Sequence, residues 1–257
     1  MPTQVEPLTE PEPPPAVSWR RRWANYLYFV PMVGVLTGFF GAIALICGLW
    51  DKQGSQQHRI ARWWGNAMLQ LSFAPVQLQH ADRFPNVAAV YVCNHLSYYD
   101  TPVLYAKLPF QFRILAKAPL WSVPVIGWYL QRSGQVAIDQ TSVRSGVAGL
   151  MRGVRTLESG LSLTVFPEGG RAADGQLQAM MAGAAWIAIK AGTPIVPLTL
   201  VGTYELLPIH VYALKPRPLK LIVGEPISTA GMTTKDAEAL MAQLRAVIHA
   251  TYVAAQP

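Results

Sequence analysis

Charge is scarce in this chain. Asp, Glu, Lys and Arg make up 14% of its 257 residues, against roughly 25% for an ordinary soluble domain. Cysteine is almost missing: Cys47 and Cys93 stand 46 positions apart, which leaves neither a disulfide framework nor a zinc-ligand pattern. No Gly-x-Ser-x-Gly nucleophile elbow occurs, which argues against a hydrolase of that type. Beyond Arg20-Arg21-Arg22 there is no block of basic residues interleaved with aromatics, so nucleic acid is not an expected partner. What the chain does have is 51% hydrophobic and 10% aromatic residues. Disordered, collagen-like and coiled-coil proteins are excluded on that ground. A freely soluble protein is disfavoured too, because few charges remain to cover a surface.

The shortage of charge is concentrated. Trp23 to Trp50 is a run of 28 residues without one charged side chain, longer than the 20 or so apolar residues that cross a bilayer core. Residues 1–18, rich in proline and carrying Glu6, Glu10 and Glu12, read as a disordered tail and do not resemble a signal peptide. Residues 55–78 begin with His58, Arg59 and Arg62 and carry Trp63-Trp64, the composition of an interfacial helix. The expected organisation is a tail at 1–18, a membrane-associated helical segment at 19–78, and one domain at 79–257. The formal net charge of +7 suits an anionic partner, with a lipid surface or a phosphorylated substrate ahead of nucleic acid.

Past residue 79 the periodicity changes. Short β-branched runs at 87–92, 135–138, 161–166, 195–201 and 219–223 read as strands. Helical stretches alternate with them at 102–107, 141–158, 179–191 and 234–250. The last carries Leu240, Leu244, Val247 and Ile248 on one face, with Thr233 or Thr234 as its cap. Such alternation predicts an α/β fold: a mixed, largely parallel sheet flanked by helices, behind an N-terminal helical membrane anchor. No repeat and no Pro/Gly linker interrupts this domain.

Two clusters carry chemistry. Asn94-His95-Leu96-Ser97-Tyr98-Tyr99-Asp100 follows the first strand, at the end of a strand where α/β sheets present their ligands. A turn between His95 and Asp100 would let the carboxylate hold one imidazole nitrogen and leave the other free as a general base. The pair taken alone also reads as a helix-capping aspartate beside an unrelated histidine. Phe166-Pro167-Glu168-Gly169-Gly170-Arg171 follows another strand. Its glycines let backbone approach an anionic group, and Arg171 offers a forked donor set that matches phosphate. Alone it also reads as a polar turn with a solvated ion pair. Pro194-Ile195-Val196-Pro197 puts prolines in an apolar strand, which predicts an edge or strand-end position. Cys93 offers a thiol but reads as a small buried hydrophobe, and Ser97 reads as a turn hydroxyl.

Taken together, these blocks resemble the glycerolipid acyltransferases, specifically the 1-acylglycerol-3-phosphate (lysophosphatidate) acyltransferases. The resemblance spans residues 80–250 and includes Ala116-Lys117, the turn Pro124-Val-Ile-Gly127, Gly134…Ile138-Asp139 and Gly224-Glu225-Pro226-Ile227. It implies transfer of a fatty acyl group to the free hydroxyl of a lysophospholipid, most directly 1-acylglycerol-3-phosphate giving phosphatidate. The co-substrate would be acyl-CoA or acyl-carrier protein, with no further cofactor and no metal. His95 would be the general base and Asp100 its orienting carboxylate. Glu168, Gly169, Arg171 and Lys117 would bind the substrate, with Asn94, Ser97, Gly134 and Pro197 in support.

Three positions depart from the family pattern. Gln140 stands where an arginine follows Ile-Asp, Gly170 where threonine or serine is usual, and Ala182 where a lysine is common. A neutral amide cannot supply a charge-assisted phosphate contact. Another acceptor, such as a lyso-ornithine lipid or a different lysophospholipid, is therefore the alternative, as is a non-catalytic relative that binds lipid or acyl-CoA. Arg113, Arg132 and Arg144 are candidate replacements for the missing cations, each also reading as an ordinary surface charge. Both acyl donors are cytosolic, so the resemblance further implies a cytoplasmic-facing domain at the cell membrane. A re-entrant or two-helix anchor is then expected in place of a simple span. The oligomeric state is left open.

Overall fold

A computed structural model of the chain describes residues 19, 23, 25–139, 141–171, 174–209 and 214–256. The expected tail at 1–18, the arginines at 20–22 and Gln140 lie outside them. Seven strands form one sheet: β1 (Val76–Gln79), β2 (Val90–Cys93), β3 (Phe112–Lys117), β4 (Val136–Ile138), β5 (Ser162–Val165), β6 (Ile195–Val201) and β7 (Leu219–Val223). Their spatial order is β1-β7-β6-β2-β5-β3-β4. β6 and β7 are antiparallel and the other neighbours pair in parallel, so β1 and β7 oppose the remaining strands. The mixed, largely parallel sheet expected from the sequence is present.

Every residue of β2 and β6 is buried, which is why these strands read as continuous apolar runs. Alternation sends Tyr91, Cys93, Val196, Leu198 and Leu200 to one face of the sheet and Val90, Val92 and Ile195 to the other. The first face is covered by α1 (Val30–Cys47), α2 (Ser55–Leu71), α3 (Asp100–Lys107) and α4 (Ile126–Arg132). The second is covered by α5 (Val143–Glu158), α6 (Gly183–Ala191) and, after the short α7 (Thr203–Leu206), by α8 (Ala237–Ala255). A capping box between Ser142 and Ser145 opens α5, and Thr233 with Asp236 forms another just ahead of α8. On α8, Leu240, Leu244 and Ile248 are buried as expected, with Met241 and Tyr252 beside them. Val247 falls at the edge of that arc and is exposed.

Four expectations need correction. β1 lies within the stretch read as membrane segment, yet it pairs with β7 as the sheet's edge strand. α2 buries Ile60, Ala61, Met68 and Leu69 in the domain, and at Gly65 it touches α3 so closely that a Cβ would sit 2.6 Å from the Pro102 carbonyl oxygen. β3 is not expected from the sequence, because Arg113 and Lys117 break its hydropathy. Pro197 sits inside β6, between β7 and β2, not at an edge. The sheet tolerates it because β6 pairs with β7 only from Leu198 onward. Pro197 offers just its carbonyl on that side, to the Gly224 N–H at 2.8 Å.

Among the described residues, Asn25–Cys47 is the one helical stretch long and apolar enough to cross a membrane. α1 does not stand away from the domain. Phe29, Val33 and Leu36 pack on the core, Thr37 accepts a hydrogen bond from the Trp64 indole (3.2 Å), and Gly41 lies against Val125. Ala44 is buried, and Gly48 abuts the Gln57 side chain. This stripe of small and apolar residues at helical spacing fastens α1 to the domain along its whole length.

Candidate active site

β2 ends at Cys93, and Asn94 carries its pairing one step further. The buried Asn94 amide donates to the Leu200 carbonyl (2.9 Å) and its Oδ1 accepts from the Leu200 N–H (2.8 Å), tying the strand end to β6. The chain then loops over the C-terminal edge of the sheet into α3, whose first residue is Asp100. Asp100 Oδ2 accepts the Leu96 N–H (2.7 Å) and the Ser97 N–H (2.9 Å), and it lies 2.8 Å from His95 Nδ1. Helix-start carboxylate and histidine partner are thus one oxygen in one residue. Ser97 spends its hydroxyl on structure, donating to the Leu207 carbonyl and accepting from the Tyr99 N–H.

Asp100 is fully buried and His95 keeps 12% of its side chain exposed. An ionised carboxylate can only accept, so Nδ1 carries the proton and Nε2 presents a lone pair. Nε2 has no hydrogen-bond partner among the described residues. The ring is stacked on Phe166, centroids 4.0 Å apart and planes 19° from parallel. The imidazole is therefore held in orientation by a carboxylate at one edge and an aromatic ring on one face.

Phe166 leads from β5 into the second cluster. Glu168 Oε1 accepts the His95 backbone N–H (2.8 Å), and Oε2 accepts the Gln178 N–H (2.9 Å). Burial pushes the Glu168 carboxyl up to about 7, helped by the Asp100 charge and opposed by those two N–H donors and Arg245. Gly169 has φ 67°, and a Cβ there would meet the Met181 methyl at 2.7 Å, so only glycine turns this corner. Arg171 donates from Nε to the Ser97 carbonyl (3.2 Å), and its guanidinium lies 4.3 Å from the centre of the Tyr98 ring. Its terminal nitrogens have no partner among the described residues, and the side chain is exposed. Cys93 is buried, and desolvation with the Asp100 and Glu168 charges pushes its thiol well up, away from nucleophile chemistry.

An acyltransferase family model matches residues 75–201, a segment that opens just before β1 and closes at the end of β6. The chain is 32% identical over 206 residues to the 1-acyl-sn-glycerol-3-phosphate acyltransferase LPAT1, chloroplastic, of Arabidopsis thaliana, covering 77% of this chain and 56% of that protein. It is 31% identical over 208 residues to the corresponding Brassica napus protein BAT2, covering 78% and 59%. The 1-acyl-sn-glycerol-3-phosphate acyltransferase of Saccharomyces cerevisiae is 28% identical over 219 residues, covering 82% and 72%. This chain thus matches the acyltransferase family over residues 75–201, just under half of its length. It spans a little over half the length of the two plant relatives. Its fold is that of a crystal structure of the 1-acyl-sn-glycerophosphate (LPA) acyltransferase, PlsC, from Thermotoga maritima. The TM-score is 0.75 at 24% identity, covering 90% of this chain and 95% of that one.

Within this acyltransferase fold the candidate residues separate. His95, Asp100, Asn94, Ser97, Glu168, Gly169 and Arg171 come together at the C-terminal ends of β2 and β5. Lys117 is exposed at the end of β3, on the rim of the same edge. Gly134 lies at the opposite edge, ahead of β4, where its φ of 68° shapes a turn around Arg113. Arg113 is not a surface charge: it is buried and donates to the Gln53 carbonyl at 2.6 Å, far from the crevice in the fold. Arg132 ends α4 at that same opposite edge, and Arg144 is exposed at the start of α5. Ala182 sits at the start of α6, packed on the core, with no charge to offer. Phe166 and Tyr98 were within the blocks, but their stacking roles come from chain crossings that no spacing encodes. Arg245 carried no signal at all.

Proposed function

We propose that this chain is an O-acyltransferase that moves a fatty acyl group from a thioester donor to the free hydroxyl of a lysophospholipid, with 1-acylglycerol-3-phosphate as acceptor and phosphatidate as product. The observation that carries the reading is His95, fixed on Asp100 at 2.8 Å with Nε2 unpartnered among the described residues, while Arg171 is held on the carbonyl of Ser97 two residues further along the same loop. The acceptor hydroxyl gives its proton to Nε2 as its oxygen attacks the thioester carbonyl. Asp100 stabilises the imidazolium so formed. Collapse of the tetrahedral intermediate breaks the C–S bond, and the proton returns from Nε2 to the leaving thiolate. General-base assistance of this kind contributes roughly 10²–10⁴-fold in rate.

Arg171 is assigned to the acceptor phosphate, because its fork is geometrically matched to phosphate oxygens and already oriented by Tyr98 and Ser97. Glu168 is not assigned to the acceptor: both its oxygens are occupied by backbone N–H groups. Lys117 at the rim adds a second cation for an approaching phosphate or nucleotide. Acyl-CoA and acyl-carrier protein are the proposed donors, and the site is proposed to face the cytoplasm from the surface of one leaflet.

The test is an acceptor screen with the purified chain in detergent micelles. Labelled acyl-CoA, then labelled acyl-carrier protein, is offered with lysophosphatidate, glycerol phosphate, lysophosphatidylcholine and lyso-ornithine lipid, and products are separated by mass. Phosphatidate from wild type and its loss in His95→Ala are the expected results. Transfer to lyso-ornithine lipid alone would shift the acceptor. Wild-type turnover in His95→Ala would remove the general base.

A further inference from the structure

Glu168 does not act alone. The strap from Asp174 to Ala182 that crosses beside the site has no helix or strand, so discrete contacts decide where it lies. Its Leu177 side chain is buried in the core beneath α8. Its backbone is gripped from two sides. The Gln178 N–H goes to Glu168 Oε2 at 2.9 Å, while Arg245 of α8 donates from Nε to the Gln178 carbonyl and from a terminal nitrogen to the Leu177 carbonyl, both at 3.2 Å. The other Glu168 oxygen holds the His95 N–H. α8 is itself seated through Leu240, Met241, Leu244 and Ile248. An unbroken series of charge-assisted hydrogen bonds therefore runs from the C-terminal helix to the backbone of the histidine.

From this we infer that Arg245, outside the segment matched by the family model, is a positioning residue for His95, acting through Leu177, Gln178 and Glu168. Each link in the series is directional, so a shift at one end is passed to the other. With Arg245 gone, the strap carbonyls lose their donors and Gln178 is free to drift. Glu168 then loses one of the two N–H groups that compensate its buried charge and rotates toward solvent. The His95 backbone is released at the same time, and Nε2 moves relative to the hydroxyl it is to deprotonate. Reaction geometry is sensitive to displacements well under an ångström, whereas the crevice that binds substrate is unchanged. Turnover should suffer and affinity should not.

The inference rests on His95 being the base, and the test separates the two. Arg245→Ala and Arg245→Lys are compared with wild type as full-length chains in detergent, using lysophosphatidate and acyl-CoA. In Arg245→Ala, kcat should fall about tenfold while both KM values stay within about twofold. Lysine, which can reach one carbonyl but cannot fork, should recover part of that loss. Hydrogen exchange by mass spectrometry should show faster exchange in peptides covering 94–98 and 174–181 of Arg245→Ala, with α5 and β1 unchanged. Unaltered kcat overturns the inference, as does a loss of kcat without faster exchange at 94–98, or faster exchange across the whole chain. Exchange does not depend on turnover. A wild-type chain inactive on every acceptor would sink the base assignment yet still leave the coupling between residues 245 and 95 measured.

Discussion

At the site, single atoms carry the chemistry, and Asp100 shows how tightly. One oxygen, Oδ2, accepts from His95 Nδ1, the Leu96 N–H and the Ser97 N–H. Asp100→Asn would place an amide there: its oxygen can still cap α3, but no charge remains to stabilise an imidazolium. We expect kcat to fall by about 10²–10⁴-fold with the fold intact, measured as acyl transfer beside circular dichroism. An Asp100→Asn chain with wild-type kcat would mean the carboxylate serves the helix start alone. Glu168 makes a prediction about stability. Folded, it keeps its proton up to about 7, whereas an unfolded glutamate loses it near 4.3 or so. Between those values the folded chain binds more protons, so this group's contribution is full below the lower value and is lost as pH rises through the upper one. Denaturation of wild type and Glu168→Gln at steps from pH 4 to 8 should show wild type losing ground across that window. A constant difference would refute the raised carboxyl. The His95–Asp100 and Glu168–Arg171 positions were legible because short, chemically distinctive blocks sit just after strands. The roles of Phe166, Tyr98 and Gln178 were not, since an aromatic or an amide signals nothing until folding sets it against its partner.

At the scale of elements, hydropathy marks the apolar strands, the edge strand β4 among them, and misses the two whose polar residues break the run, β1 and β3. β6 and β7 match their expected bounds because apolar and β-branched residues dominate each, with Thr199 the only polar residue in one and Lys220 in the other. β1 is Val-Gln-Leu-Gln, half polar because it is an edge. β3 holds a buried arginine whose partner is a loop carbonyl, a pairing invisible in one dimension. Trp63 and Arg59 give the outer side of α2 the composition of an interfacial helix, and they leave unannounced the apolar face that meets α3. Gly65 is the contact that permits the approach: a Cβ there would lie 2.6 Å from the Pro102 carbonyl oxygen, 3.2 Å from the Ala106 nitrogen and 3.3 Å from the Tyr105 Cβ. Alanine is favoured over glycine in a helix by about 1 kcal/mol, but here backbone atoms would have to retreat. We expect Gly65→Ala to destabilise the chain by about 1–3 kcal/mol in denaturant titration, pushing α2 outward and loosening α3, which begins with Asp100. Stabilisation by Gly65→Ala would show that the two helices separate freely.

For the molecule as a whole, the question is how an apolar helix of membrane-spanning length sits on its domain. α1 is roughly 27 Å long at 1.5 Å per residue, close to the thickness of a bilayer core of about 30 Å. A helix free of its domain could cross. α1 is not free, because residues from Phe29 to Gly48 hold it against α2, Val125 and the core from end to end. To cross, it would have to drag the sheet into hydrocarbon or strip away every one of those contacts. Its outward face is apolar: Val35, Phe39 and Ile46 are exposed, as are Tyr28 and Trp50 just beyond its two ends, and so are Leu120, ahead of α4, and Ile126 and Trp128 of α4. A stripe with no charged residue in it and a protein layer behind it fits the proposed position along one leaflet, which would keep the site at the surface from which a lysolipid enters sideways. The stripe can be broken without touching the contact face. Phe39→Glu with Ile46→Glu puts two carboxylates where lipid is expected, each unfavourable by about 2–3 kcal/mol in hydrocarbon. The double variant should move from the membrane to the supernatant on sedimentation, fold as wild type does, and act on lysophosphatidate in mixed micelles but poorly on lysophosphatidate held in vesicles. Protease should reach tags at residue 1 and residue 257 from the same side of sealed vesicles. Tags on opposite sides, together with a double variant that still resists extraction by carbonate, would establish a crossing helix and require α1 to peel away from the domain.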